Sequence, residues 1–525
     1  MKEGFRQSMA WLHTWTGLLF GWLLFAIFVT GTAAYFQEEI SRWMKPEVSA
    51  ATDRAAATQA AIGYLQTTQP DAESWFISPP SARTPTADIF WQPRKVEGEP
   101  PKRRKRGETS ATLDAEGQPV TARETKGGFF LYRFHFDLHY MPVMWARYLV
   151  GVAAMFMLIA ILSGIVTHKK IFVDFFMLRF GKGQRSWLDA HNVTAVFALP
   201  FYLMITYTGL VTLATQYMPW GITANYASPD TFFEEVFPGR AEVERTGMAA
   251  PLVPVAPLMT AASQRWNGAP VGSVRVVNPG DKSATITLTR APSGSIGSRG
   301  ESIVFSGSTG DLLDKSAAQG GAMATQSVMI GLHAGRFAGW GLRWLYFLSG
   351  VGGAIMVGSG LILWTVKRRA KLTGPVRPPF GFRLVARLNV AAVVGLPAGI
   401  AAYFLANRLL PLGMAGRAEW EVHSLFILWG GTLVWAIARP ERRAWVESLA
   451  LTSALFAAVP IVNAFTVPRN LATGLISGDW LFVAFDLAML TLATSFGFAA
   501  RKAAQVKAAR QPRHARKVQE ELATA

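Results

Sequence analysis

Eight histidines are the residues best able to do metal or redox chemistry in this 525-residue chain, because it contains no cysteine. Without cysteine there is no disulfide, no iron–sulfur ligation, no thiol nucleophile, no zinc finger and no thioether-attached haem. Four of the eight fall into two matched pairs. His13 is followed seventeen residues later by Thr30-Gly31, and His191 is followed at the same spacing by Thr208-Gly209. Leu138-His139 and Leu332-His333 come next, each ahead of an arginine, Arg147 or Arg343. A Ser-Gly dipeptide, Ser163-Gly164 or Ser359-Gly360, and then a basic cluster close each unit. The unit helix, module, helix therefore occurs twice in the same orientation.

Two imidazoles related by such a repeat can face each other across a pseudo-two-fold axis and supply both axial ligands of one haem iron. The repeat pairs His13 with His191 and His139 with His333, and a helical rise of 1.5 Å per residue puts about 30 Å between the pairs. That layout suits carrying electrons across a membrane between two b-type haems. The plainer reading of any one of these residues is a hydrogen-bonded imidazole at an interface; their pairing favours haem. His168 has Trp364 near its equivalent position and reads as an alternative inner ligand to His13, a propionate partner or an interfacial residue. His135 stands one turn before His139 and has no counterpart near Met329, so the repeat favours His139. His423 lies outside the repeat and reads as structural, and His514 as solvated. Arg147 and Arg343, with Arg133 and Arg336, can neutralise outer haem propionates, and Lys169, Lys170 and Arg185 inner ones. The competing reading is of snorkelling interfacial cations.

The elements that must position these residues are membrane helices. Half of the chain is hydrophobic and only 16% is charged, against about 25% in soluble domains. Spans of the length a bilayer needs are read at 8–37, 142–168, 191–213 and 338–366, with four more within 384–500. The first is too long for a signal peptide. Basic residues concentrate in the segments 169–190 and 367–383, after span six (Arg439, Arg442, Arg443) and in the tail 501–525. These four groups face one side, which the positive-inside rule makes the cytoplasm, with both termini there. The net charge of +18 is then mostly a topology signal, and a nucleic-acid partner is set aside. Lys102–Arg106, on the outer side, reads as a solvated loop, since long loops translocate largely regardless of charge.

Segments 38–141 and 214–337 lie outside and share an order of helix then strands. The first offers a helix at Ala55–Leu65 and strands at Ser74–Ile77 and Ile89–Gln92. The second offers a helix at Ala256–Trp266 and strands at Ser273–Val277, Thr285–Leu288 and Ser302–Phe305. Both are α+β modules. Asp486 falls inside the last span, where an ionisable group is costly and usually functional; a proton path and a structural hydrogen bond are both open. Glycines at Gly350, Gly352 and Gly353 allow a macrocycle or, more commonly, another helix to approach.

The motifs Leu12-His13 with Gly17, Ser163-Gly164 before His168-Lys169-Lys170-Ile171-Phe172, Trp187 with His191 leading to Thr208-Gly209-Leu210, and Leu332-His333 resemble the PepSY-associated transmembrane family. The likeness covers roughly residues 5–370. It implies PepSY-like periplasmic modules in a bacterial inner-membrane protein. For the ferric-siderophore reductases of that family it implies membrane-embedded b-type haems passing electrons outward to siderophore iron. Ligation carries over onto His13, His191, His139 and His333, with His168 as an inner alternate. The last four spans depart from the shorter members.

The expectation is thus a mainly α-helical membrane protein of about eight spans, with a duplicated four-helix haem-binding core and two periplasmic PepSY-like modules. Its function would be di-haem electron transfer to a ferric siderophore or another periplasmic acceptor, fed by an unidentified cytoplasmic or membrane donor, since no GxGxxG follows a strand. Two other classes compete: a non-redox membrane-anchored binding or regulatory protein, and a siderophore permease using Asp486.

Overall fold

Among the described residues, seven helices of the computed structural model are long and apolar enough to cross a membrane, or eight if one bent pair counts as a single span. The structure describes residues 4–48, 53–94, 109–167, 175, 177–236, 244–315, 320–372 and 378–505. The chain forms two compact units, Met1–Arg123 with Gly127–Gly360, and Glu124–Lys126 with Leu361–Ala525.

In the first unit α1 (Phe5–Ala34) leads through α2 (Gln37–Trp43) and α3 (Arg54–Thr68) to β1 (Ala72–Ser78), β2 (Ala87–Pro93) and β3 (Ser110–Leu113). Helices α4 (Gly127–Asp137), α5 (Val143–Thr167), α6 (Gln184–Phe197) and α7 (Leu199–Thr212) follow. The order then recurs as α8 (Val255–Arg265), β4 (Val271–Val277), β5 (Thr285–Arg290), β6 (Ser302–Ser306), β7 (Leu312–Lys315), α9 (Gly321–Ala334) and α10 (Trp340–Arg369). The span expected at 191–213 is broken: α6 and α7 meet at 68°. Pro200 lies in the first turn of α7, where its missing N–H cannot bond back into α6.

Residues two apart along the central strands share a face, and this decides which face is buried. Trp75 and Ile77, Ile89 and Trp91, Val274 and Val276, and Ile286 and Leu288 all point to one side, under α3 and α8. Asp53 starts α3 by accepting from the amides of Ala55 and Ala56, which supplies partners for two otherwise orphan donors. The modules are not separate. Their strands form one seven-stranded antiparallel sheet of order β3-β2-β1-β4-β5-β6-β7, joined where Trp75 of β1 pairs with Val276 of β4. Trp75 is 1% exposed at that seam, and truncating it to alanine would cost about 3–5 kcal/mol. The glycines of α10 serve helix packing: Gly350 abuts Thr32, Gly353 abuts Phe28, and Gly352 faces the Tyr202 hydroxyl.

The second unit contains α11 (Phe380–Leu409), α12 (Arg417–Ala438), α13 (Glu441–Thr466) and α14 (Trp480–Gln505). A π-turn at Ala391–Gly395 interrupts α11 just ahead of Pro397, which has no amide to continue the ladder. A buried polar chain links the four helices. Arg417 Nη1 donates to Glu421 Oε1 at 2.5 Å and Asn407 Nδ2 donates to the same oxygen at 2.7 Å. Arg408 bonds Asn407 and reaches Asn463 Oδ1 at 2.7 Å, and Asn463 Nδ2 donates to Asp486 Oδ2 at 3.1 Å. The Leu471 amide also donates to Asp486, at 3.0 Å. Of the two roles open for Asp486, this geometry supports the structural one.

Candidate functional site

His13 on α1 and His191 on α6 face each other with ring centroids 6.2 Å apart and planes at 65°. Each ring is fixed through Nδ1. His13 bonds the Ala160 carbonyl of α5 at 2.8 Å, and His191 bonds the Met356 carbonyl of α10 at 2.9 Å. A carbonyl oxygen only accepts, so Nδ1 is the protonated nitrogen and Nε2 keeps its lone pair, the arrangement that metal-ligating histidines use. Four residues after each carbonyl comes the repeated glycine. A Cβ at Gly164 would lie 3.2 Å from His13 Cε1, and one at Gly360 would lie 3.1 Å from His191 Cε1. The rings pass where a side chain would otherwise stand.

A second pair repeats the pattern with one change from expectation. His333 on α9 faces His135 on α4, not His139, with centroids 6.5 Å apart and planes at 25°. His333 Nδ1 bonds the Ile205 carbonyl of α7 at 3.0 Å, and His135 Nδ1 bonds the Tyr132 carbonyl of its own helix. His139 lies past the end of α4, between Leu138 and Tyr140, whose φ values of 51° and 58° turn the chain. There it packs on the rings of Phe130 and Tyr140. The sequence signal for His135 is the Thr-Gly dipeptide. Gly31 abuts the His135 ring as Gly209 abuts the His333 ring. Burial pushes both imidazoles below the ordinary histidine range.

The separations suit one metal between each pair of rings. A metal–imidazole bond of about 2.0–2.1 Å on each side, plus roughly 1.1 Å from nitrogen to ring centre, gives a centroid spacing of about 6.2–6.4 Å; the first pair, at 6.2 Å, falls within it and the second, at 6.5 Å, lies just beyond. Among the described residues no group of three or more His, Cys, Asp or Glu could hold a bare ion. Two imidazoles with nothing else are what a metal already held by a macrocycle requires. Along α1, Gly31 lies eighteen residues beyond His13, so about 27 Å separates the pairs. Leu24, Met157, Tyr202 and Met356 fill part of the interior between.

A family model described as "PepSY-associated TM region" matches residues 10–367. The chain belongs to the PepSY-associated TM family. The matched segment includes all four paired imidazoles and ends before the helices α11–α14. An uncharacterized protein of Pseudomonas aeruginosa is 25% identical to this PepSY-associated protein over 317 residues, covering 56% of the chain and 76% of the relative.

The arginines read as propionate partners are engaged with protein carboxylates in this PepSY-associated protein. Arg147 Nε donates to Asp137 Oδ1 at 2.7 Å, and Arg133 pairs with the same carboxylate. Arg343 Nη1 lies 3.2 Å from Glu39 Oε1, a carboxylate that Arg83 also holds, at 2.6 Å. A propionate would have to compete with Asp137 and Glu39. Arg336 and Arg185 are exposed, while His168, Lys169, Lys170 and His514 lie outside the described residues. His423 belongs to the second unit, where it packs edge-on against Trp420.

Proposed function

We propose that this multi-pass membrane protein carries electrons across a bacterial inner membrane and reduces a periplasmic acceptor, ferric iron held by a siderophore. The observation that carries this reading is the matched geometry of two imidazole pairs. Each has a ring spacing suited to one bis-imidazole metal, and each ring is tied at Nδ1. When bound, a b-type haem at each pair supplies a one-electron carrier. His13 and His191 would hold the inner group, and His135 and His333 the outer one. Gly164, Gly360, Gly31 and Gly209 give the rings room. The apolar filling around Met157 and Tyr202 keeps water from the space between, which lowers the local dielectric and the solvent reorganisation that a charge change entails.

One electron per ferric ion is delivered outward, and hard oxygen chelators hold the resulting ferrous ion far more weakly than ferric. The electron comes from a cytoplasmic or membrane donor. The reading is tested with the protein in liposomes that enclose dithionite, with a ferric hydroxamate and a ferrous-specific chromophore outside. The expected result is ferrous iron outside, dependent on the protein. Labelled chelate entering liposomes without any reductant would instead support permeation.

A further inference from the structure

The Ser-Gly and Thr-Gly dipeptides of the repeat place a hydroxyl beside each glycine, and two of these hydroxyls share the carbonyls that fix the imidazoles. Ser359 Oγ donates to Met356 O at 2.9 Å, and the same oxygen accepts His191 Nδ1–H at 2.9 Å. Ser163 Oγ lies 3.2 Å from Ala160 O, the acceptor of His13 Nδ1–H, with a shorter bond of 2.7 Å to Ile159 O. Thr208 Oγ1 stands apart: it donates to Met204 O at 2.7 Å and lies 3.3 Å from His333 Nδ1 itself, as well as 3.4 Å from Ile205 O, so it can accept the imidazole proton directly. All three side chains are buried. The fourth position differs: His135 bonds Tyr132 O within its own helix, and Thr30 beside Gly31 donates to Ala26 O.

We propose that Ser359 and, more weakly, Ser163 are positioning residues that tune the reduction potential of the His13–His191 centre by sharing the carbonyl that accepts the imidazole proton. The inference rests on the haem reading above. Two donors on one oxygen draw on the same electron density, so each bond is weaker than it would be alone. A weaker Nδ1–H···O bond leaves the ring less imidazolate-like and a poorer donor at Nε2. A poorer axial donor stabilises ferric iron less, so the potential rises. Both carbonyls of the His13–His191 pair are shared in this way. The undivided bond of Ser359 makes it the stronger of the two.

The test is a spectroelectrochemical titration of the full-length protein in detergent. Ser359→Ala is expected to lower the midpoint potential of one centre and Ser163→Ala to lower the same centre by less, with the other centre unmoved in both. Ser359→Thr, which restores the hydroxyl, is expected to keep the wild-type potential. An unmoved or raised potential in haem-loaded Ser359→Ala overturns the inference alone. If that variant does not fold, Ser163→Ala decides on the same criterion. Wild-type protein that binds no haem overturns the proposed function and this inference with it.

Discussion

His135 and His333 lie with their planes only 25° apart and their centroids 6.5 Å apart, while His139, four residues on, packs against Phe130 and Tyr140. The first prediction follows from that relationship. Replacing His135 or His333 by alanine removes one of two haem absorbance components, the same one in each case. His139→Ala keeps both. Loss of that component in His139→Ala, with its retention in His135→Ala, would reverse the assignment.

Glycine substitutions probe the same pair without touching an imidazole. A Cβ at Gly209 would stand 2.9 Å from His333 Cε1, closer than packed atoms allow, whereas one at Gly31 would stand 3.7 Å from His135 Cδ2, an ordinary contact. Gly209→Ala should therefore displace the His333 ring and reduce haem content at this pair to below half. Gly31→Ala should leave it within about a fifth of wild type, although both glycines occupy equivalent places in the repeat. Pyridine haemochrome assay of the purified variants gives the comparison.

The polar chain of the second unit makes a stability prediction. Arg417 and Glu421 are both fully buried, so removing one leaves an uncompensated charge and costs about 3–5 kcal/mol. Glu421→Leu should lower the thermal midpoint sharply, and adding Arg417→Met in the same chain should recover much of the loss. Neither belongs to an imidazole pair, so haem per folded chain should not change. Thermal unfolding followed by intrinsic fluorescence reads the first effect.

Asp281 gives a pH prediction outside the membrane helices. Burial raises its carboxyl pKa, but hydrogen bonds from Ser283 and Thr246 outweigh that and hold it well below the usual carboxylate range. The Gly247 amide, at 2.8 Å, and Arg245, at 3.1 Å, add to them. A carboxyl that is more acidic folded than unfolded contributes stability above its unfolded pKa, and that contribution is lost as the pH falls below it. The stability gap between wild type and Asp281→Asn should be constant from pH 7 to about 5 and shrink from about pH 4 downward. A gap that grows toward acid would contradict the assignment, and thermal unfolding across that range measures it.

Much of this architecture is legible in the sequence because periodicity and charge act locally. Uncharged runs mark the spans, and the alternation of Trp75 and Ile77 against Phe76 marks a half-buried strand. The fusion of the two modules is not legible, because alternation fixes which face of a strand is buried and not which strand lies beside it; β1 meets β4 across some two hundred residues. The edge strands β3 and β7 escape for another reason, being four residues each and, in β7, exposed throughout. The bend between α6 and α7 had a visible cause in Pro200, hidden inside an unbroken apolar run.

The site shows the same limit. Gly360 follows His333 by 27 residues, while Gly164 follows His139 by 25 and His135 by 29, so spacing alone is evenly balanced between the two. What separates them is tertiary. His135 still rides on α4, where it meets Gly31, whereas the chain has turned at Leu138 before reaching His139. At the inner pair the repeat already favours His13 and His191, which stand at the same distance from their Thr-Gly dipeptides, while the alternate His168 lies outside the described residues.

The proposed electron path stands on haem binding at both imidazole pairs. The most direct measurement is the optical spectrum of the full-length protein purified from haem-replete cells, oxidised and then dithionite-reduced, with haem quantified per chain. A reducible b-type spectrum with two haems per chain is expected; a colourless preparation of folded protein would rule out both haem sites.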